Sequence, residues 1–132
     1  LVHEFFNDKS DLLEKHNIEW GYLLATISNK GFLMEPVFFW EDSRYLFHER
    51  YLGEDYISKL KTFEENIPAR EVVTELRDEL SYIFMEFGAV HFQIGRSYKY
   101  KEGKDGPSWE LLRGLKKILD PKGLVNPGSL GL

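Results

Sequence analysis

A chain of 132 residues is long enough for one domain with a real core, and a content of 42% hydrophobic and 15% aromatic residues argues against disorder. Twenty-two acidic residues outweigh 17 lysines and arginines, for a net charge of −5, which argues against a sequence-independent grip on nucleic acid phosphates. There is no cysteine, so disulfides, thiol catalysis and cysteine-based zinc sites are excluded together.

The longest apolar runs, 21–27 and 32–40, are too short to span a bilayer, and Glu35 interrupts the second. No signal-peptide pattern opens the chain. It begins without methionine inside a helical pattern, which suggests a piece of a larger protein or a processed chain.

Residues 1–16 read as helical, with Val2, Phe5, Phe6, Leu12 and Leu13 in a ragged apolar stripe. Asn7, Asp8, Lys9 and Ser10 form a candidate break, because Asn, Asp and Ser favour caps and turns over helix interiors. Residues 19–28 then read as a strand, with Trp20, Tyr22, Leu24 and Thr26 on one side and Gly21, Leu23, Ala25 and Ile27 on the other. Ser28, Asn29, Lys30 and Gly31 form the turn, since Asn and Gly tolerate the positive φ of tight hairpins. Residues 32–40 form the returning strand. Pro36 cannot donate to a ladder and marks an edge, a strand start or a bulge.

Residues 41–67 read as an irregular excursion anchored by Leu46, Phe47, Tyr51 and Leu52, with a short helix from Gly53 through Phe63. Pro68 in a first turn, then Val72, Val73, Leu76, Leu80, Ile83, Phe84 and Phe87 at helical spacing, defines the clearest helix, and Gly88 stops it. Residues 89–94 follow as a short buried strand that places His91, Gln93 and Gly95 on one side. Residues 97–107 are a polar loop. Ser108 is the expected cap of a last helix over 109–119, with Lys116 and Lys117 near its end as the helix dipole prefers. Asp120 and Pro121 stop it, and further turns come at Gly123 and at Asn126, Pro127 and Gly128.

The order helix, strand, strand, helix, strand, helix predicts an α+β fold, a ferredoxin-like antiparallel sheet with helices on one face and its first strand missing. The unpaired edge implies either an upstream strand in a parent protein or a homodimer through that edge.

Several side chains have chemistry to offer. His91 is either a hydrogen-bond donor or acid/base for a substrate, or a histidine satisfied by backbone at a strand end. Glu35, set among apolar residues, is either a catalytic base or turned to solvent by a bulge at Pro36. Arg96 and Tyr98 offer a carboxylate partner and an aromatic surface, or else belong to a solvated loop, as Lys99, Lys101 and Lys104 do. His3, His16 and His48 lack metal-ligand spacing, so no metal site is expected.

From Leu119 to Gly128 the residues LDPKGLVNPG, preceded by a helix, resemble the closing LDP-x-G-x-x-NPG of FAD-linked oxidases of the vanillyl-alcohol oxidase type, which include D-lactate dehydrogenase and glycolate oxidase subunits. Those enzymes have EHGIG where this chain has His91 to Gly95, keeping Ile94 and Gly95 but replacing a glycine with Gln93. Their hairpin carries HVGDGNLHP; here Glu35 and Pro36 match the closing pair, while Thr26 falls near the first histidine.

The resemblance implies that residues 1–132 are the second half of a C-terminal cap domain, paired with an FAD-binding domain of the parent chain that binds most of the FAD. It implies His91 and Glu35 as catalytic residues, Gln93, Arg96 and Tyr98 against a small-molecule substrate, and Asn126 and Gly95 beside the cofactor. Side chains 35, 91 and 93 are then expected to converge above one sheet surface. The implied activity is oxidation of an alcohol or 2-hydroxy acid, with the isolated chain inactive. The rivals are a free-standing ferredoxin-like binding or dimerisation module and a flavin oxidase for phenolic alcohols.

Overall fold

The computed structural model describes residues 1–91 and 95–132. It divides into two compact units, Leu1–Leu76 and Arg77–Leu132, the boundary falling inside a long helix.

The first unit opens with α1, Val2–Asp8, and α2, Ser10–Lys15. The break falls at Lys9, whose φ of −99° and ψ of 7° depart from helical values, so the polar run Asn7 to Ser10 does interrupt the helix. The hairpin follows as β1, Glu19–Ile27, and β2, Gly31–Phe39, antiparallel, with Trp20 opposite Phe38 and Leu23 opposite Glu35. Its loop is three residues long, and the left-handed residue is Ser28 at φ 55°, where Asn or Gly was expected. Register runs unbroken through Pro36, so no bulge is present there. In a two-stranded ladder both strands are edges, which is where proline is tolerated.

The two faces of the hairpin differ. The ring of Phe6 from α1 is fully buried, stacks on Trp20 at 4.2 Å between centroids, and meets Phe38 at 5.5 Å and Tyr22 at 5.9 Å. Trp20, Tyr22 and Phe38 share the face that Phe6 covers. On the other face Leu23, Ile27 and Phe39 are exposed. The far end of the covered face is also open, Phe32 being 64% exposed.

After β2 the chain runs through α3, Leu46–Leu52, and α4, Glu54–Ile57, to α5, Ile67–Glu86. The excursion is thus more helical at its start than expected. The helix foreseen through Phe63 instead ends at Ile57, and Leu46 to Leu52 form a helix of their own. Asn66 caps α5, its side-chain oxygen accepting the Ala69 N–H at 3.2 Å. Buried residues of the first unit are Phe5, Phe6, Leu13, Ile18, Ala69, Val72, Val73 and Leu76. The α5 members recur every three or four residues, the stripe that its sequence predicts.

In the second unit α5 continues with Leu80 buried and ends in a Schellman arrangement. Gly88, at φ 69°, donates to the Met85 carbonyl at 2.9 Å, and Ala89 donates to that of Phe84 at 3.0 Å. Phe87, expected in the core stripe, lies past the last helical residue and is exposed. Residues 89–91 form no strand, and Phe92, Gln93 and Ile94 lie outside the described residues, so among the described residues the sheet is β1 and β2 alone. The α+β class holds.

The last long helix, α6, is Gly106–Leu119 and starts earlier than expected. Its cap is Asp105, whose carboxylate accepts the Ser108 N–H at 2.9 Å, while Pro107 occupies the first turn. Proline's fixed φ suits a first turn that needs no donor there, and this displaces Ser108 into the helix. A 3-10 turn, Ser129–Gly131, follows. No described helix is long and apolar enough to cross a membrane.

Candidate functional site

The expected site residues fall in both units. Glu35 belongs to the first, exposed, on the hairpin face opposite Phe6. Gln93 lies outside the described residues. The second unit brings together His91, Gly95, Arg96 and Tyr98 with the tail that carries Asn126 and Gly128.

His91 is half-buried against Tyr98, ring centroids 4.9 Å apart. The backbone N–H of Lys99 donates to His91 Nε2 at 3.2 Å. That nitrogen must therefore carry a lone pair, so the neutral ring holds its proton on Nδ1. In this state His91 can donate from Nδ1 but has no basic nitrogen to spare. Gly95 lies close to the same tyrosine: a β-carbon added there would stand 3.4 Å from Tyr98 Cδ2.

The lysines of the following loop each rest over an aromatic ring. Lys99 sits 5.0 Å from the Tyr82 centroid, with its Nζ 3.7 Å from the Asp78 carboxylate; Lys101 lies 5.7 Å from Trp109 and Lys104 4.7 Å from Tyr100. Cation–π contact of this kind anchors a polar loop without helix or strand.

Arg96 is exposed, and among the described residues no carboxylate pairs with it. Its guanidinium lies against Gly128, at φ 78°, where an added β-carbon would stand 3.3 Å from Nη2. Arg96, Tyr98, Lys99, Lys101 and Gly128 line a pocket of about 370 Å³ together with the carboxylates Asp78 and Glu102. The larger pocket of the first unit, about 720 Å³, is lined by Glu19, Glu41, Glu64 and Glu65, which would repel an anion. With Arg96, Lys99 and Lys101 against two carboxylates, the second unit's pocket suits a negatively charged small molecule better.

Two arrangements that support these elements were not foreseen. The sequence alone marks Asp120 only as a helix stop. Its carboxylate in fact receives Lys116 Nζ at 2.6 Å and the N–H groups of Leu124 and Val125 at 2.9 Å each. Those donors, Lys116 foremost, hold its pKa down to about 2. Lys116 also donates to the Val125 carbonyl, so helix end and tail form one clasp. Asn126, the expected cofactor neighbour, follows in a left-handed conformation at φ 45°, its carbonyl accepting the Ser129 N–H at 3.1 Å. The i, i+4 spacing of Lys116 and Asp120 was visible; the backbone donors beyond it were not.

The second arrangement lies in the first unit. Arg70 clasps Asp42 through Nε at 2.6 Å and Nη2 at 2.8 Å, and Asp42 also accepts from Trp40 Nε1 and from the N–H groups of Ser43 and Asn66. This bidentate pair holds the Asp42 carboxyl well below the usual carboxylate range and ties the start of α5 to the end of the hairpin.

No curated protein and no solved structure matches the chain. Residues 93–130 match the family model described as FAD linked oxidases, C-terminal domain. The matched stretch contains Arg96, Tyr98, α6, the Asp120 clasp and Gly128, and so carries the pattern of the C-terminal domain of a flavin-linked oxidase.

Proposed function

We propose that this chain is the substrate-side part of the C-terminal domain of an FAD-dependent oxidoreductase that oxidises an alcohol or a 2-hydroxy acid, in the manner of D-lactate and glycolate enzymes. The observation that carries this reading is a pocket where Arg96, Lys99 and Lys101 stand beside Asp78 and Glu102, most of its lining falling in the stretch that matches the flavin-linked oxidase family. Arg96 is the anchor for a substrate carboxylate, because its guanidinium has no acidic partner among the described residues and pairs bidentately with such groups. Tyr98 supplies the pocket's aromatic wall.

His91, protonated on Nδ1, would hold the substrate oxygen as a donor. Gln93 would assist in binding. Bound FAD would supply the hydride acceptor. Asn126 and Gly95 would lie beside the edge of the flavin ring. The described residues do not offer a cradle for the whole dinucleotide: no glycine-rich strand-to-helix turn is present among them, and the larger pocket is acidic. We therefore assign most of the FAD contact to a separate domain of a parent chain.

The test is flavin reduction in a full-length parent enzyme, followed by absorbance with glycolate, D-lactate and an aryl alcohol in turn. Reduction by a 2-hydroxy acid is expected. Arg96→Ala should raise KM for that acid about 10–100-fold, the loss of a charge-assisted hydrogen bond, and leave a neutral alcohol unaffected. A flavin that no alcohol or hydroxy acid reduces would overturn the reading. So would tight, spectrally visible flavin on the isolated 132-residue chain.

A further inference from the structure

The tail after α6 contains three left-handed glycines, Gly123, Gly128 and Gly131, and the first two have contrasting surroundings. Gly123, at φ 62°, has among the described residues no atom within 4 Å of the position that a β-carbon would take, its chain neighbours aside. Gly128, at φ 78°, has three atoms of one guanidinium there: Arg96 Nη2 at 3.3 Å, Nε at 3.6 Å and Cζ at 3.8 Å. The two nearest are Nη2 and Nε, so the side-on edge of the arginine fork faces the tail. Nη1 is not among the three atoms nearest the tail.

An exposed arginine with no ion-pair partner has many rotamers, and fixing one costs side-chain entropy. Arg96 lies against the tail, and the tail is held in place. Gly128 N–H donates to the Leu132 carbonyl at 2.8 Å, and upstream the Asp120 carboxylate grips Leu124 and Val125. We infer that Gly128 is a positioning residue for Arg96: the space of its missing side chain sets where the guanidinium lies in the anion pocket. This rests on the reading of Arg96 as the substrate-anion anchor.

Left-handed backbone alone makes glycine favourable at both positions. Crowding of Arg96 is particular to residue 128, and comparison of the two glycines separates the effects. A β-carbon at 128 displaces Nη2 by a few tenths of an ångström, and a longer side chain displaces it further.

The experiment uses the 132-residue chain labelled with nitrogen-15, observing the Arg96 Nε–H resonance and titrating with glycolate. Gly128→Ala and Gly128→Asn should both move that resonance and weaken glycolate binding, Asn the more, by up to about tenfold. Asn tolerates left-handed backbone, so it separates crowding from strain should Gly128→Ala disturb the fold. Gly123→Ala, strained in the same sense, should leave resonance and affinity as they are. In an Arg96→Ala background, Gly128→Asn should have no further effect on glycolate, as expected of residues acting through one another.

If residues 123 and 128 behave alike, or if neither 128 variant moves the Arg96 resonance, the inference is overturned. If Arg96→Ala leaves glycolate binding unchanged, the anchor reading fails instead. The resonance still decides whether Gly128 places the guanidinium.

Discussion

Lys116 and Asp120 lie one helical turn apart, the ammonium 2.6 Å from the carboxylate, and both reach beyond α6 to residue 125. Asp120 thus acts as a second cap, holding backbone donors of the chain that follows the helix. With its pKa held down to about 2, its contribution is complete above the ordinary carboxylate value, near 4. Because the folded-state value is the lower one, stability falls as pH drops from about 4 to about 2. Acid titration of the Leu124 and Val125 amide resonances should show that transition. Asp120→Asn should abolish it, and an unchanged titration in that variant would refute the assignment.

Phe6 should be the most costly side chain to truncate in the first unit. It is fully buried, stacked on Trp20 and in contact with Tyr22 and Phe38. Phe6→Ala should destabilise by about 3–5 kcal/mol, and Phe6→Leu by less, since Leu refills part of the space. Urea unfolding followed by Trp fluorescence measures both; a loss below about 1 kcal/mol for the alanine variant would mean that the ring is not a core element.

Asp42 collects five donors from four residues and Arg70 supplies two of them. Asp42→Ala should cost about 2–3 kcal/mol and change the Trp40 emission, because the indole N–H loses its acceptor. Arg70→Lys should recover little, since an ammonium cannot reproduce the fork. Full stability in the lysine variant would show that charge alone suffices.

The ring of His91 should show its proton on Nδ1 at neutral pH, readable from the imidazole nitrogen-15 shifts. His91→Ala removes the acceptor for Lys99 N–H, so the Lys99 amide resonance should move in that variant. A proton on Nε2 at neutral pH would contradict the donor geometry and the role proposed for this histidine.

The elements of this chain were legible wherever the signal was local. The hairpin, the break near Lys9, the apolar stripe of α5 and its glycine stop all follow from periodicity, turn chemistry and backbone preference within a few residues. The resemblance of the C-terminal tract to flavin-linked oxidases rests on a contiguous motif, and residues 93–130 match the model of that C-terminal domain. Local rules failed where two candidates competed. Asp105 and Ser108 are both good caps, and the choice turned on Pro107. Ser28 rather than Asn29 took the left-handed position, because the loop closed at three residues.

What only tertiary structure decided are contacts between residues far apart in the chain. Arg70 finds Asp42 across 28 positions, and Phe6 finds Trp20 across a helix break and a turn. Arg96 comes to rest against Gly128, the contact on which the proposed positioning depends. Composition and spacing state which groups need partners, because an unpaired charge or an uncovered ring is costly. They do not state which partner arrives, since that is set by where the folded backbone leaves room.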